Sequence, residues 1–287
     1  MSAKSEQVSP TAYATGYFWY RHGLSHPALA TPQGKRLDRG FRLLIGAAKA
    51  LSGISLEALM LARHRGIDAL LTQAIEDGRV GQVIEIAAGL SPRGWAFANR
   101  YGKKLTYLET DLPQMAATKR RLLDDAKLLS KQHRVLDLNA LRSEGPDSLA
   151  AIAATLDPRL GTAIITEGLM NYLSPAQARF VWSEIATTLK QFPQGLYLAD
   201  AYLMNEQRSA GMAAFGAALQ VFVRGRMHVH YRTEPEAIST LKAAGFDTVA
   251  MHRAADLPVN RDIASTRGAD RVRILEARTC PSHAGFP

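Results

Sequence analysis

A short apolar run followed by a helix-length amphipathic one recurs along most of this chain, and that alternation restricts the fold more than any other feature. "QVIEIAAG" precedes "SPRGWAFANRYG", "KLTYLETD" precedes "LPQMAATKRRLLDDAKLL", and "HRVLDL" precedes "PDSLAAIAATL". "GTAIITEG" precedes "SPAQARFVWSEIATTLKQF", and "GLYLADAY" reads as a fifth strand. "TVAMHR" and "RVRILEAR" follow the helix-like "TEPEAISTLKAAGF". Strands joined by helix-length segments are parallel, because only a long crossover returns the chain to the same end of a sheet. The expectation is an α/β, Rossmann-like doubly wound sheet of about seven strands with helices on both faces.

Local punctuation agrees with these elements. Ser55 is placed to cap a helix whose inner face carries Leu56, Met60, Ile67, Leu70 and Leu71, with Gly78 at its exit. Ser91-Pro92 and Ser174-Pro175 each read as an N-cap followed by proline at the first helical position. Thr233 and Glu236 have the spacing of a capping box, and Gly245 ends that helix. A single domain over 1–287 is expected, in four parts. Residues 1–54 form an aromatic-rich helical extension, 55–202 the core, 203–232 a helical cap insertion, and 233–287 the closing helix and strands.

Composition excludes several classes. No run of eighteen apolar residues is present, so no segment spans a bilayer as a helix. The start, "MSAKSEQVSP", lacks the apolar stretch of a signal peptide, which makes the cytoplasm the expected location. Cys280 is the single cysteine, so neither an internal disulfide nor a cysteine-rich metal site is expected. The net charge of +9 is spread over helices such as "KRRLLDDAK", where acids interleave with bases. That is the pattern of a solvated face, and no nucleic-acid partner is expected.

Ligands of open α/β sheets bind beyond the carboxyl ends of the strands. Four successive strands here end in or beside a carboxylate: Glu85, Glu109 with Asp111, Asp137, and Glu167. Such a rim repels a pyrophosphate, and the turn after the first strand lacks the three glycines of a dinucleotide loop. It suits a cationic ligand carrying a ribose. Asp111 is placed to accept from ribose hydroxyls, Asp137 from an exocyclic amine, and Glu167 to face an ammonium or sulfonium. Small Ala87 and bare Gly89 admit close backbone approach. Arg63 continues the apolar stripe of its helix, where a cation requires a partner. Two partners are open: a structural acid such as Glu85, or the carboxylate of a ligand. Carboxylate, ammonium, sulfonium, ribose and adenine together describe S-adenosyl-L-methionine.

"ARHRGID", "VIEIAAGLSPR", "LTYLETDLPQMAATKRRLL", "RVLDL" and "ITEGLMNYLS" resemble, in order and spacing, the leucine carboxyl methyltransferase family, including its bacterial branch acting on polyketides and other small molecules. "VSPTA" and "LKAAGF" extend the resemblance toward both ends. It implies a class I methyltransferase sheet whose last strand is antiparallel. It also implies that Arg63 holds the methionine carboxylate, Gly89 lies beside the amino-acid portion, and Asp111 binds the ribose. Asp137 and Leu138 match the adenine pair, and Glu167 the acid near the methionine end. Where members of the family often have aspartate, this chain has Ser91, which keeps a helix cap and loses a charge beside Arg93.

The implied activity is O-methylation of a carboxylate or hydroxyl of a small molecule, anionic or aromatic, with no metal. A carboxylate acceptor needs no base; a hydroxyl acceptor benefits from one. Candidate bases are Tyr17, Tyr172, His228 and His230, with His22 and His26 behind them. Tyr17 and Trp19 are expected to wall the acceptor, and Arg224 and Arg226, with Arg232, to orient an anionic one. The alternative is a repurposed fold that binds the cofactor without transferring methyl groups.

Overall fold

A computed structural model describes residues 10–207 and 227–280. The seven anticipated strands are β1 (Gln82–Ile86), β2 (Thr106–Asp111), β3 (His133–Asp137), β4 (Thr162–Thr166), β5 (Gly195–Ala201), β6 (Thr248–Arg253) and β7 (Arg273–Thr279). They form one sheet in the order β3-β2-β1-β4-β5-β7-β6. β1 to β5 are parallel, and β7 runs antiparallel to β5 and β6. The winding reverses between β1 and β4, so the ligand crevice belongs beyond their carboxyl ends.

The helices are α1 (Pro10–Arg21), α2 (Pro32–Ser52), α3 (Leu56–Glu76), α4 (Arg93–Tyr101), α5 (Pro113–Asp125), α6 (Leu149–Ala153), α7 (Pro175–Leu189) and α8 (Glu234–Ala243). Side chains alternate across the strands and divide the core in two. Val83, Tyr107 and Ile165 pack with α3 and α4 on one face. Ile84, Leu108 and Ile164 pack with α6, α7 and α8 on the other. No helix among the described residues is long and apolar enough to cross a membrane.

The helix starts follow the caps with three adjustments. α4 begins at Arg93, and Ser91 Oγ accepts from the Arg93 N–H at 3.2 Å rather than from deeper in the turn. α6 is only five residues long, and its cap is Ser148, with the Asp147 carboxylate held by Arg142. At α8 Thr233 caps the Glu236 N–H as expected, but the Glu236 carboxylate reaches back to the Arg232 N–H instead of closing the box.

The extension sits on the site. α1 crosses the turn that follows β1, and a Cβ at Gly16 would lie 2.6 Å from Leu90 Cβ. Only glycine allows that approach.

Candidate active site

The turn after β1 is built from two left-handed residues, Ala87 (φ 55°) and Gly89 (φ 50°). For alanine this conformation costs roughly 1–2 kcal/mol, and it persists because neighbouring contacts fix the turn. Ala88 N–H donates to the Thr110 carbonyl at 2.9 Å. Gly89 N–H donates to Asp111 Oδ2, and Leu112 N–H to Asp111 Oδ1, each at 2.8 Å. Asp111 thus clamps the turn with one backbone donor per oxygen, and each oxygen of the half-buried carboxylate keeps further acceptor capacity. Burial pushes its carboxyl upward, while those two N–H bonds and Lys119 pull the other way.

Beyond β4 the charges concentrate. Glu167 accepts from Arg63 Nε at 3.0 Å and Arg93 Nη2 at 2.5 Å, and His64 Nδ1 lies 2.8 Å from it. Burial opposes its charge, yet His64, Arg93 and Arg63 outweigh burial and hold the carboxyl well below the usual range. Arg63 Nη1 also lies 3.5 Å from both Asp200 Oδ2 and the Tyr202 hydroxyl. The Gly168 N–H donates to Asp200 Oδ1 at 2.7 Å. Gly168 is itself left-handed (φ 68°), and a Cβ there would meet the Arg63 guanidinium at 3.2 Å.

Arg93 backs this cluster from within the fold. It is fully buried and donates to Asp68 at 2.5 Å and Glu85 at 2.7 Å as well as to Glu167. The negative charge absent at Ser91 is thus supplied around Arg93 by Asp68, Glu85 and Glu167. Glu85 corrects an expectation. Strand alternation places it with Val83 on the α3/α4 face, where one oxygen takes Arg93 and the other the Tyr107 hydroxyl at 2.7 Å. It holds the scaffold and does not face the crevice, and the partner of Arg63 is Glu167 rather than Glu85. Glu109 is likewise internal, bound to Lys119 at 2.7 Å and His133 at 3.1 Å.

The remaining anticipated residues divide. Asp137 is half-exposed at the tip of β3, 2.8 Å from Arg120, and the buried Leu138 donates its N–H to the Asp111 carbonyl. Both lie beside Asp111 at the carboxyl end of the sheet. Tyr172 is 41% exposed after β4. Trp19 corrects the notion of an acceptor wall: it is buried, with its ring stacked on His64 at 4.1 Å. Tyr17, half-buried, packs against Tyr20. His26 caps a helical turn through Nδ1, and His22 sits by Arg21 and Glu57. His230 binds the Met170 carbonyl, and His228 stacks near it. Arg232 donates its backbone N–H to Glu236, while Arg224 and Arg226 lie outside the described residues.

Asp200, Tyr202, His64 and Asp68 were not anticipated. Asp200 had a signal: carrying the strand-end test on to "GLYLADAY" reaches it directly. His64 and Asp68 share the "ARHRGID" stretch with Arg63, but nothing in spacing announces a contact with α4.

The leucine carboxyl methyltransferase family model matches residues 29–186, more than half of the 287-residue chain. The chain belongs to this family. Among its relatives, a protein of Mycolicibacterium gilvum named "Putative S-adenosyl-L-methionine-dependent methyltransferase" is 34% identical over 123 residues, 42% of this chain and 38% of that one. A protein of the same name from Mycobacteroides abscessus is 34% identical over 126 residues, 44% and 39% of the two chains. The match thus spans well under half the length of these relatives. The fold is that of solved methyltransferases. Magnesium protoporphyrin IX methyltransferase from Synechocystis, solved with bound S-adenosylhomocysteine, superposes with TM-score 0.50 at 14% identity, covering 78% of this chain and 86% of that one. A Streptomyces avermitilis protein superposes at 0.60, with 12% identity and coverage of 96% and 98%.

Proposed function

We propose that the protein is an S-adenosyl-L-methionine-dependent methyltransferase that methylates a carboxylate or hydroxyl oxygen of a small molecule. One observation supports the reading: Arg63, Glu167 and Asp200 meet at the ends of β4 and β5, and the adjacent strand β1 ends in a left-handed turn clamped by Asp111. An amino acid zwitterion matches that charge pattern, its carboxylate toward Arg63 and its ammonium toward Glu167 or Asp200. The relatives' names support the same cofactor.

In this reading the turn from Ala87 to Gly89 holds the amino-acid end, Asp111 the ribose, and Asp137 with Leu138 the adenine. The left-handed turn and the bare Gly168 beside Arg63 leave the close approach such a ligand needs. When bound, the sulfonium supplies an activated methyl group. The protein's part is alignment of donor and acceptor and exclusion of water.

Calorimetric titration with S-adenosylhomocysteine, with NAD as control, tests this. Micromolar binding that weakens at least tenfold in Arg63→Ala and Asp111→Ala is expected. No binding by folded wild-type protein free of co-purified ligand overturns it. Binding without transfer to any carboxylate or hydroxyl acceptor points to the repurposed fold instead.

A further inference from the structure

α2 departs from the interleaving of acids and bases seen in helices such as α5. Thr31 caps its first turn through the Gly34 N–H at 3.0 Å, and left-handed Gly53 (φ 72°) ends it. Gly34, Asp38 and Phe41 are buried at the spacing of one helix face, and a Cβ at Gly34 would meet the Tyr13 carbonyl of α1 at 2.5 Å. Asp38 is the one acid of the helix, and Arg21 Nε holds it at 3.2 Å. Every other charge on α2 is positive and exposed. Lys35, Arg39, Arg42 and Lys49 recur at i, i+4, i+7 and i+14, so they form one row along the helix, with Arg36 beside its start. No ion pair joins any of the five to an acid among the described residues.

The adjoining row is apolar. Leu43 is 81% exposed, and Gly40, Ala47 and Ala50, on the same side of the helix, are exposed with it. A Cβ at Gly40 or at Gly46 would meet nothing within 4 Å, so none of the described residues lies against the helix there.

The chemistry of the two rows narrows what can cover them. Small residues around one protruding leucine admit another helix at close range. A bilayer surface is a poorer match, because an interfacial helix inserts several bulky apolar groups and α2 offers one. A second copy of the chain would set one row of cations against another. Residues 1–9, 208–226 and 281–287, outside the described structure, carry a single acid, Glu6, so none of these segments supplies a matching row.

We propose that α2 is a docking surface for an amphipathic helix of an acidic partner protein. A row of carboxylates on that helix faces Lys35, Arg39, Arg42 and Lys49, and its apolar row closes on Leu43 and the small residues beside it. The charges draw the partner in and set its register, while the apolar row holds it. α2 packs on α1, which rests on the turn after β1, so the partner is seated one helix away from the candidate site.

The test uses the full chain and a hydrocarbon-stapled synthetic helix as long as α2, followed by fluorescence anisotropy. The probe carries glutamate at i, i+4, i+7 and i+14, with leucine and alanine on the adjoining row. Saturable micromolar binding is expected. It should weaken at least tenfold in Arg39→Glu/Arg42→Glu, at least threefold in Leu43→Ser, and at least tenfold when glutamine replaces the glutamates of the probe. Melting temperatures equal to that of wild type check that these exposed changes leave the fold intact. Lys103→Glu/Lys104→Glu, which reverses as much charge at another exposed place, should bind within twofold of wild type. Failure of the probe to bind, equal binding by Arg39→Glu/Arg42→Glu, or an equal loss in the Lys103 and Lys104 variant overturns the proposal. So does wild-type protein that ignores the probe but sediments with three-to-one phosphatidylcholine–phosphatidylglycerol vesicles, which gives the face to an anionic lipid surface. A wild-type dimer dissociated by Leu43→Ser gives the face to a second copy and equally overturns it.

Discussion

Arg93→Met is the most demanding test of how the site is held. Arg93 is fully buried, and its guanidinium touches Asp68, Glu85 and Glu167 at 2.5, 2.7 and 2.5 Å. Methionine replaces much of the stem but leaves two buried carboxylates short of a cation. Breaking a buried pair in this way costs about 3–5 kcal/mol, far more than the ~0–1 kcal/mol of a surface pair. The corresponding drop in melting temperature is on the order of 10 °C. The Arg93→Met/Glu85→Gln double variant is expected to recover part of that loss, since glutamine still accepts from the Tyr107 hydroxyl without carrying an unpaired charge. The coupling should exceed about 0.5 kcal/mol, the scatter expected for independent sites. The pH dependence follows from Glu167. Its folded value lies below the ordinary one, so the stability it contributes is complete above about 4.3 and is lost as pH falls through the folded value. Without Arg93 that depression shrinks, and the gap between variant and wild type narrows in acid. Urea unfolding followed by circular dichroism at pH 7 and at pH 4 measures all three effects. A loss under about 1 kcal/mol, or strict additivity in the double variant, refutes the buried-network account.

Three further outcomes are expected. Trp19→Ala should cost about 3–5 kcal/mol by loss of core volume, and it should also weaken S-adenosylhomocysteine binding, because Trp19 supports His64 and, through it, Glu167; unchanged stability in urea would contradict its place in the core. Gly16→Ala should cost about 1–3 kcal/mol by overpacking against Leu90 and lower cofactor affinity by lifting α1 from the Gly89 turn; calorimetry showing neither effect removes α1 from the site. Wild-type stability should fall steadily below pH 4.5, as Glu109, held down against burial by Lys119 and His133, and Glu276, held at about 2 by His252 and Arg278, take up protons; a flat profile from pH 4.5 to pH 2 rules this out.

The strands and most helix starts were legible because they depend on local periodicity and capping, which a sequence carries whole. Seven apolar runs became seven strands, and Ser55, Ser174 and Thr233 cap the helices they precede. The position of Asp111 and Glu167 at the carboxyl ends of their strands, and the need of Arg63 for a buried partner, were also legible, because strand ends and an interrupted apolar stripe mark them. Glu85 and Trp19 were misread for one reason: both sit near the site in sequence, and only packing decides which way a side chain faces. A strand alternates sides at every residue, so one step of parity sends Glu85 to Arg93 and away from the crevice.

The sequence by itself determined the alternating architecture, the family, and the row of acids at the strand ends, since these follow from spacing along the chain. Tertiary structure alone decided that Asp68, 25 positions before Arg93, completes its counter-charge, that Asp200 shares Arg63 with Glu167, and that His230 returns to Met170 across 60 positions. Ion pairs and hydrogen bonds act over a few ångströms whatever the separation along the chain. They become determinate only once the sheet has brought the strand ends together.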